Sequence, residues 1–182
     1  MTGNDFEGGR IAIEHLVSLG HRRIAYFGSS PRTYSDRNIL AGYQKALKDH
    51  ALEFKKELVS WENNEKETLK KNLKKTVELP SPPTAIIAWS DIMAINILDL
   101  LKNMDIKVPE DISLVGYDNI DFLSLFHIPL TTISVTNYQM GNKAALLLLE
   151  RIEKSRKGPF QKIVFKPKLV VRNSTAAPKR KR

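Results

Sequence analysis

The sequence predicts an α/β fold in which a parallel sheet is flanked by helices. Segments with helical and with strand periodicity alternate along most of the 182 residues. The strand segments are short and continuously apolar, which is typical of strands buried on both faces of a parallel sheet. With 42% hydrophobic and 27% charged residues, the composition is that of a globular protein.

Three helices and two strands are predicted in the first half of the chain. Ile13, Leu16 and Val17 form the first helical face. The predicted elements, in order, are this first helix ended by Gly20, a strand at 24–27, a helix from Ile39 to Leu47, a strand at 58–61, and a lysine-rich helix with Leu69, Leu73 and Val77 on its apolar edge. Three prolines, at 80, 82 and 83, end the lysine-rich helix.

The second half continues the alternation. Asp91 is predicted to be the N-cap of a helix that is apolar on several sides and that must therefore be covered on more than one face. The predicted elements are a strand at 85–89, the helix from Asp91 to about Asn103, strands at 112–117 and 132–135, a helix at about 138–154, and a closing strand pair at 163–165 and 169–172.

Charge and cysteine content limit the class of protein. The net charge is +9, but four positive charges lie in the tail at 179–182 and a net three lie between 65 and 75. Lysines without interleaved aromatic residues are typical of a solvated helix face, and a basic tail carries no chemistry for reading bases. The chain has no cysteine, no membrane-length apolar run and no signal-peptide pattern, so we expect a cytoplasmic protein held together by packing.

Polar or aromatic side chains stand at the carboxyl ends of four predicted strands: Ser29, Trp61, Ser90 and Asp118. In open α/β sheets, ligands bind beyond these strand ends. A carboxylate, hydroxyls and an aromatic face suit a small polyol. For Asp118 the alternative is a turn or cap residue without contact to a ligand.

Motifs of catalysis and of metal binding are missing from the sequence. It contains no G-x-S-x-G, no phosphate-binding G-x-x-x-x-G-K-[ST], no G-x-G-x-x-G and no H-E-x-x-H. His15, His21, His50 and His127 have no metal-ligand spacing, and we interpret them as surface or capping residues. We therefore expect neither an enzyme nor a metal or cofactor site.

Several segments, taken together and in order, carry a resemblance. They are residues 7–28 (EGGRIAIEHLVSLGHRRIAYFG), 40–47 (LAGYQKAL), 83–88 (PTAIIA), 108–118 (VPEDISLVGYD), 129–133 (PLTTI) and 171–175 (VRNST). The set resembles the lactose-repressor (LacI/GalR) family of bacterial transcriptional regulators, in its periplasmic-binding-protein-like effector domain of type I.

The resemblance implies one complete subdomain and part of a second. The expected boundaries are 6–27 and 132–154 for a partial amino-terminal subdomain, 29–129 and 160–174 for the carboxyl-terminal effector and dimerisation subdomain, and 175–182 for a basic flexible tail. Family members contact operator DNA through a headpiece that precedes the effector domain, so we expect this chain to reach an operator only through a headpiece that it does not contain.

The resemblance also implies roles for single residues. Trp61 falls where the family places an aromatic ring against its effector, Asp118 on its acid after Gly-Tyr, and Ser90 where many sugar-responsive members have Asn. The family's arginine position is Ile39 here. Arg37 lies half a helical turn earlier, so it is a candidate only if its side chain turns toward the cleft.

Two segments are expected to form a homodimer interface by the same resemblance. They are the helix after Asp91, with Ile92, Ile95 and Leu98, and the segment before Pro129, with Phe122 and Phe126. For the helix, burial in the core is an equal alternative, whereas the second segment is too apolar for an ordinary loop.

The expected function is that of the effector-binding and dimerisation portion of a LacI-type regulator that senses a small molecule such as a sugar. The alternative is a solute-binding protein of an uptake system, which shares the fold and the cleft. Because the amino-terminal subdomain is incomplete, weak effector affinity is expected of this chain.

Overall fold

The computed structural model describes residues 1–62, 65–121, 127–135, 137–153, 159 and 162–179. The helices in these residues are α1 (Asp5–Ser18), α2 (Tyr34–Asp49), α3 (Lys66–Val77), α4 (Asp91–Asn103) and α5 (Asn137–Ile152). The strands are β1 (Thr2–Gly3), β2 (Ile24–Gly28), β3 (Val59–Trp61), β4 (Ala85–Ala88), β5 (Ser113–Asp118), β6 (Thr131–Ser134), β7 (Val164–Phe165) and β8 (Lys168–Val170).

Six strands form the main sheet in the order β3-β2-β4-β5-β6-β8. The first five are parallel, and β8 runs antiparallel to β6. β1 and β7 form a separate two-stranded parallel sheet. The mostly parallel sheet flanked by helices is confirmed. The two predicted closing strands are present as β7 and β8, but they do not pair with each other: β7 pairs with β1, and β8 extends the main sheet at β6.

The two faces of the main sheet pack against different helices. On one face, α1 and α2 contribute to a core cluster with Leu16, Ile39 and Tyr43. On the other face, α3 and α4 supply Leu73, Ile97 and other apolar residues to a second cluster. Residues of β2 alternate between these clusters, because successive side chains of a strand point to opposite faces. All five β2 residues are buried, which explains its unbroken apolar character.

Helices α1 and α2 approach each other at glycines. A Cβ atom on Gly42 would collide with the backbone carbonyl of Phe6, and one on Gly9 would collide with the carbonyl of Ile39. These contacts are between backbones, so no flexible side chain can move aside to make room. The two helices can therefore pack at this distance only with glycine at both positions.

The segment 173–176 is bound to the sheet near the start of β5 and of β6. Ser174 donates its hydroxyl to the Leu114 carbonyl (2.6 Å) and accepts from the Thr131 N–H (2.8 Å). His21, which is 1% exposed, lies 2.8 Å through Nε2 from the Ala176 carbonyl and 2.9 Å through Nδ1 from the Thr84 hydroxyl. The interpretation of His21 as a surface or capping residue is wrong, because it joins three segments in the interior.

Part of the segment predicted for the amino-terminal subdomain contributes strands to the main sheet. β2, which was expected in the amino-terminal subdomain, lies between β3 and β4 in the main sheet. α1 packs on α2, and β6 lies beside β5 in the same sheet. Residues 6–27 and the β6 strand are thus built into the larger unit. β3 and β4 pair with the backbone groups on both edges of β2, and the two core clusters cover its two apolar faces.

Helix α5 differs from the other helices, because none of its described side chains belongs to either core cluster. It exposes five large apolar side chains: Tyr138, Leu146, Leu148, Leu149 and Ile152. Ile152, for example, is 66% exposed. None of the helices in the described ranges is long and apolar enough to cross a membrane.

Candidate functional site

A cavity of about 380 Å³ lies at the carboxyl ends of β3, β4 and β5, beside the first turns of α3 and α4. Its lining includes the carboxyl groups of Glu62 and Asp118, the indole of Trp89 and the hydroxyl-bearing Ser90. This is the edge of the sheet at which parallel-strand proteins bind ligands. The size is of the order that a small metabolite requires.

Asp118 ends β5 and has a backbone φ of 110°. The next residue, Asn119, also has positive φ, at 55°. Asp and Asn occupy this region more readily than most residues, but φ values of this kind still cost conformational energy. Burial, with smaller contributions from the Asp91 and Asp5 carboxylates, raises the pKa of Asp118 to about 7. The strained backbone turns a carboxyl group toward the cavity in surroundings that disfavour its charge.

Ser90, and not Asp91, caps helix α4. The Ser90 side chain accepts from the Met93 N–H at 3.2 Å, which is the N-cap hydrogen bond. The predicted capping role of Asp91 is therefore wrong by one residue. Ser90 lines the cavity, and because its oxygen already accepts from this backbone N–H, its hydroxyl can still offer a ligand its proton and one acceptor lone pair.

Asp91 is fully buried and joins three parts of the fold. It accepts from the Thr132 hydroxyl (2.6 Å) on β6 and from the Ile120 N–H (3.0 Å) after β5. Because it also begins α4, it holds the start of that helix against the loop that carries Asp118. Burial raises the pKa of Asp91, and these hydrogen bonds oppose the rise.

Trp61 and Ser29 are not among the residues that line the cavity. The Trp61 ring packs edge-on against Tyr26, with 5.8 Å between ring centroids, and covers Gly28, where a side chain would collide with it. Ser29 is buried, and its N–H donates to the Asp36 carboxylate at 3.2 Å. The structure thus separates two of the predicted ligand contacts from the cavity around Asp118.

Arg37 also lies away from the cavity. It is exposed on α2, whereas Ile39, at the family's arginine position, is 1% exposed in the core. Lys66 is the basic residue among those that line the cavity, and it is exposed at the start of α3. A guanidinium, which could bind a carboxylate or phosphate in bidentate fashion, is absent from this lining as described.

Glu62 is a cavity residue that sequence reasoning missed. It is fully buried, and its Oε2 accepts from the Asn72 amide at 3.2 Å. Its Oε1 and the Nε1 of Trp89 are buried atoms without a hydrogen-bond partner among the described residues. Burial raises the pKa of Glu62. The signal in the sequence was weak, because Glu62 follows the more conspicuous Trp61 and begins a polar run.

The residues predicted for a dimer interface occupy different surroundings. Ile92 is 56% exposed and also borders the cavity. Ile95 and Leu98 are partly buried and pack against the second core cluster, which leaves each with a fraction of its surface available. Phe122 and Phe126 lie outside the described residues.

The described residues contain no group of three or more histidines and carboxylates placed to hold a metal ion. The chemistry of the cavity is that of hydrogen bonding and charge: a buried and a partly buried carboxyl group, an indole donor and a hydroxyl, enclosed in part by Leu69 and Met93.

Replacing Asp118 with asparagine is expected to stabilise the protein above neutral pH. The folded-state pKa of about 7 exceeds the ordinary value of 3.8, so the folded chain binds an extra proton between these values and stability falls as pH rises through this window. Asparagine carries no charge and avoids this loss of stability. The expected gain is about 1–2 kcal/mol, after a discount for solvent screening of the partly exposed carboxyl group. Urea unfolding of the wild-type protein and of the variant at pH 5 and at pH 8 measures this gain in stability. If the two proteins differ in stability by the same amount at both pH values, the raised pKa of Asp118 is contradicted.

Comparison with known proteins gives a consistent result. The sequence profile of the family described as "Periplasmic binding protein-like domain" matches residues 13–175. The chain is 35% identical over 179 residues to the arabinose metabolism transcriptional repressor of Geobacillus stearothermophilus, covering 94% of this chain and 48% of that protein. It is 32% identical to the HTH-type transcriptional repressor CytR of Escherichia coli, covering 91% of this chain and 48% of CytR.

Solved structures agree with these relatives. A LacI family transcriptional regulator from Enterococcus faecium with bound ribose superposes with a TM-score of 0.89 at 28% identity, covering 97% of this chain and 65% of that one. The chain spans about half the length of the curated relatives it matches.

Proposed function

Because this chain belongs to the periplasmic binding protein-like domain family of LacI-type transcriptional regulators, we propose that it is the effector-binding and dimerisation portion of such a regulator. The observation that supports this most is the cavity beside Asp118, at the ligand-binding edge of the sheet. The chain is proposed to sense a sugar or a related small metabolite. The relatives named above are regulators and not enzymes, and we propose the same for this chain.

A regulator explains the comparisons better than a solute-binding protein of an uptake system does. The relatives named above are transcriptional repressors, and the superposed structure is a transcriptional regulator. In a repressor, an effector that prefers one arrangement of the domain shifts the population and thereby changes operator affinity. Such a protein acts in the cytoplasm, and its DNA contacts would be made by a headpiece outside these 182 residues.

The exposed surface of α5 supports a proposal about the second subdomain. Five large apolar side chains without a place in either core cluster are unusual for a free helix of a globular protein. We therefore place α5, with the small β1–β7 sheet, in the amino-terminal subdomain, and the main sheet with α1 to α4 in the carboxyl-terminal one. The part of the amino-terminal subdomain outside this chain would cover α5.

The test of the effector role is a titration of the chain with monosaccharides, their amino derivatives and nucleosides. Trp89 lines the cavity, so its indole N–H resonance in an NMR spectrum is the reporter. We expect a saturable shift at millimolar concentration, and loss of the shift in Asp118→Asn. The effector role is contradicted if no compound shifts the resonance of the folded protein.

Dimerisation is proposed through α4. Ile92 is largely exposed, and Ile95 and Leu98 each keep some surface on the same helix. We expect a dimer in sedimentation at micromolar concentration, and a monomer after Ile92→Asp. Lys102→Gln on the same helix, also exposed, lowers the charge by the same single unit and is the control for charge change alone. A wild-type monomer at tens of micromolar would contradict this proposal.

A further inference from the structure

Among the described residues, two buried polar atoms of the cavity lining have no hydrogen-bond partner, and they are of opposite kinds. Glu62 Oε1 accepts hydrogen bonds and Trp89 Nε1 donates them, and both residues line the same cavity. A buried polar atom without a partner is costly, and native structures leave few of them. A ligand that offered a donor to Glu62 and an acceptor to Trp89 would satisfy both atoms.

The charge of the lining distinguishes between kinds of ligand. Glu62 brings a buried carboxyl group to the cavity and Asp118 a partly buried one, whereas Glu65 and Lys66, which have opposite charges, are both exposed in the same lining. The apolar side chains between them lower the local dielectric constant and so strengthen the field of the carboxylates. This field disfavours an anionic ligand and favours a cationic one.

A neutral hydroxyl would complete the hydrogen bonds of Glu62 but would leave its charge uncompensated. An ammonium group supplies three donors as well as the opposite charge, and hydrogen bonds between ionised partners are about twice as strong as those between neutral ones.

We propose that the cavity takes a small polyol that carries an ammonium group, such as an amino sugar, with the ammonium donating to Glu62 and a ligand hydroxyl accepting from Trp89 Nε1. The inference deepens the proposed effector role and rests on it. It assigns Glu62 as the residue that selects the charge of the ligand, and Asp118 as a second acceptor for its hydroxyl or ammonium groups.

The experiment compares matched sugars that differ in one group. Glucosamine, galactosamine and mannosamine are titrated against glucose, galactose and mannose, with the Trp89 indole resonance of the full chain as the readout. For at least one pair, the amino sugar is expected to bind about tenfold more tightly than its neutral counterpart. Gluconate, an anion of similar size, is expected to bind more weakly than glucose.

Glu62→Gln keeps the shape of the side chain and one acceptor but removes the charge. It is expected to reduce the preference for the amino sugar to less than about threefold, with neutral sugars little affected. Glu67→Gln is the matched control, because Glu67 is exposed on α3 and does not line the cavity. Thermal unfolding of each variant establishes that it is folded.

Three outcomes overturn the inference in different ways. If every pair binds with equal affinity, the ammonium preference is wrong and the effector role stands. If the preference persists in Glu62→Gln, the preference is real and its assignment to Glu62 is wrong. If neither member of any pair binds to the folded chain, both the inference and the proposed effector role fail.

Discussion

Replacing Gly42 with alanine is expected to reduce the free energy of unfolding by about 3 kcal/mol or more. The added methyl group would overlap the Phe6 carbonyl in α1 and approach the Arg10 nitrogen to 2.9 Å. Both are backbone atoms, so α1 and α2 would have to separate and open the core cluster that contains Ile13 and Tyr43. Alanine favours helix formation over glycine by about 1 kcal/mol, which offsets only part of this loss.

Urea unfolding measures the effect, and Gly141→Ala supplies the control. Gly141 lies in α5 and has no atom within 4 Å of the position that a methyl group would take. The same substitution there is expected to leave stability unchanged or to raise it by up to about 1 kcal/mol. Equal stabilities for the two variants would show that the α1–α2 contact tolerates a side chain. A loss of the expected size is a large share of the ~5–15 kcal/mol that stabilises most proteins.

Replacing Asp91 with alanine is the second change for which we expect a large effect, a loss of about 3 kcal/mol. The substitution leaves the Thr132 hydroxyl and the Ile120 N–H without their partner. It also removes the side chain that fills the space over Gly116, where Asp91 Oδ1 lies too close for a Cβ atom. The loop that carries Asp118 and Asn119 in their positive-φ conformations then loses its main anchor to α4.

Denaturant unfolding reports the stability part of this prediction, and the Trp89 indole resonance reports the cavity. Asp91→Asn should be less damaging, since the amide oxygen can still accept from one partner while its NH₂ group faces the other. Asp99→Ala, an exposed position on the same helix, is the control and should change stability by less than about 0.5 kcal/mol. Comparable losses for the two alanine variants would rule out a special role for Asp91.

The fold class and the position of the cavity could be predicted from the sequence, because they depend on local patterns. Apolar runs predict β4 and β5, and the apolar run of β5 ends on the polar Asp118. The carboxyl ends of parallel strands lie at one edge of a sheet, and ligands bind at that edge. The order of strands and polar residues along the chain therefore predicts a cavity beside Asp118. The pairing of β7 with β1 depends on contacts between distant segments, and no local pattern reports it.

The side-chain roles were harder to predict, because they depend on tertiary partners. Trp61 looks like a ligand contact by type and position, yet Gly28 on the neighbouring strand leaves a space that its ring fills. Asp91 looks like a helix cap, but a serine before it takes that role and Asp91 turns inward to Thr132. Glu62 carries no pattern of its own, and only its burial and its unpartnered oxygen identify it.

The binding of segment 173–176 to the sheet has a consequence for the order in which the protein can fold during synthesis. The Ser174 hydroxyl forms hydrogen bonds with Leu114 and Thr131, which the ribosome adds to the chain 60 and 43 residues earlier. Until the ribosome has released β8, β6 has a free edge, and until it has released Ser174, the Thr131 N–H lacks its partner. The main sheet is therefore completed only after β8 and this segment have been made, and a nascent chain that stalls before β8 exposes a strand edge on which other chains can aggregate.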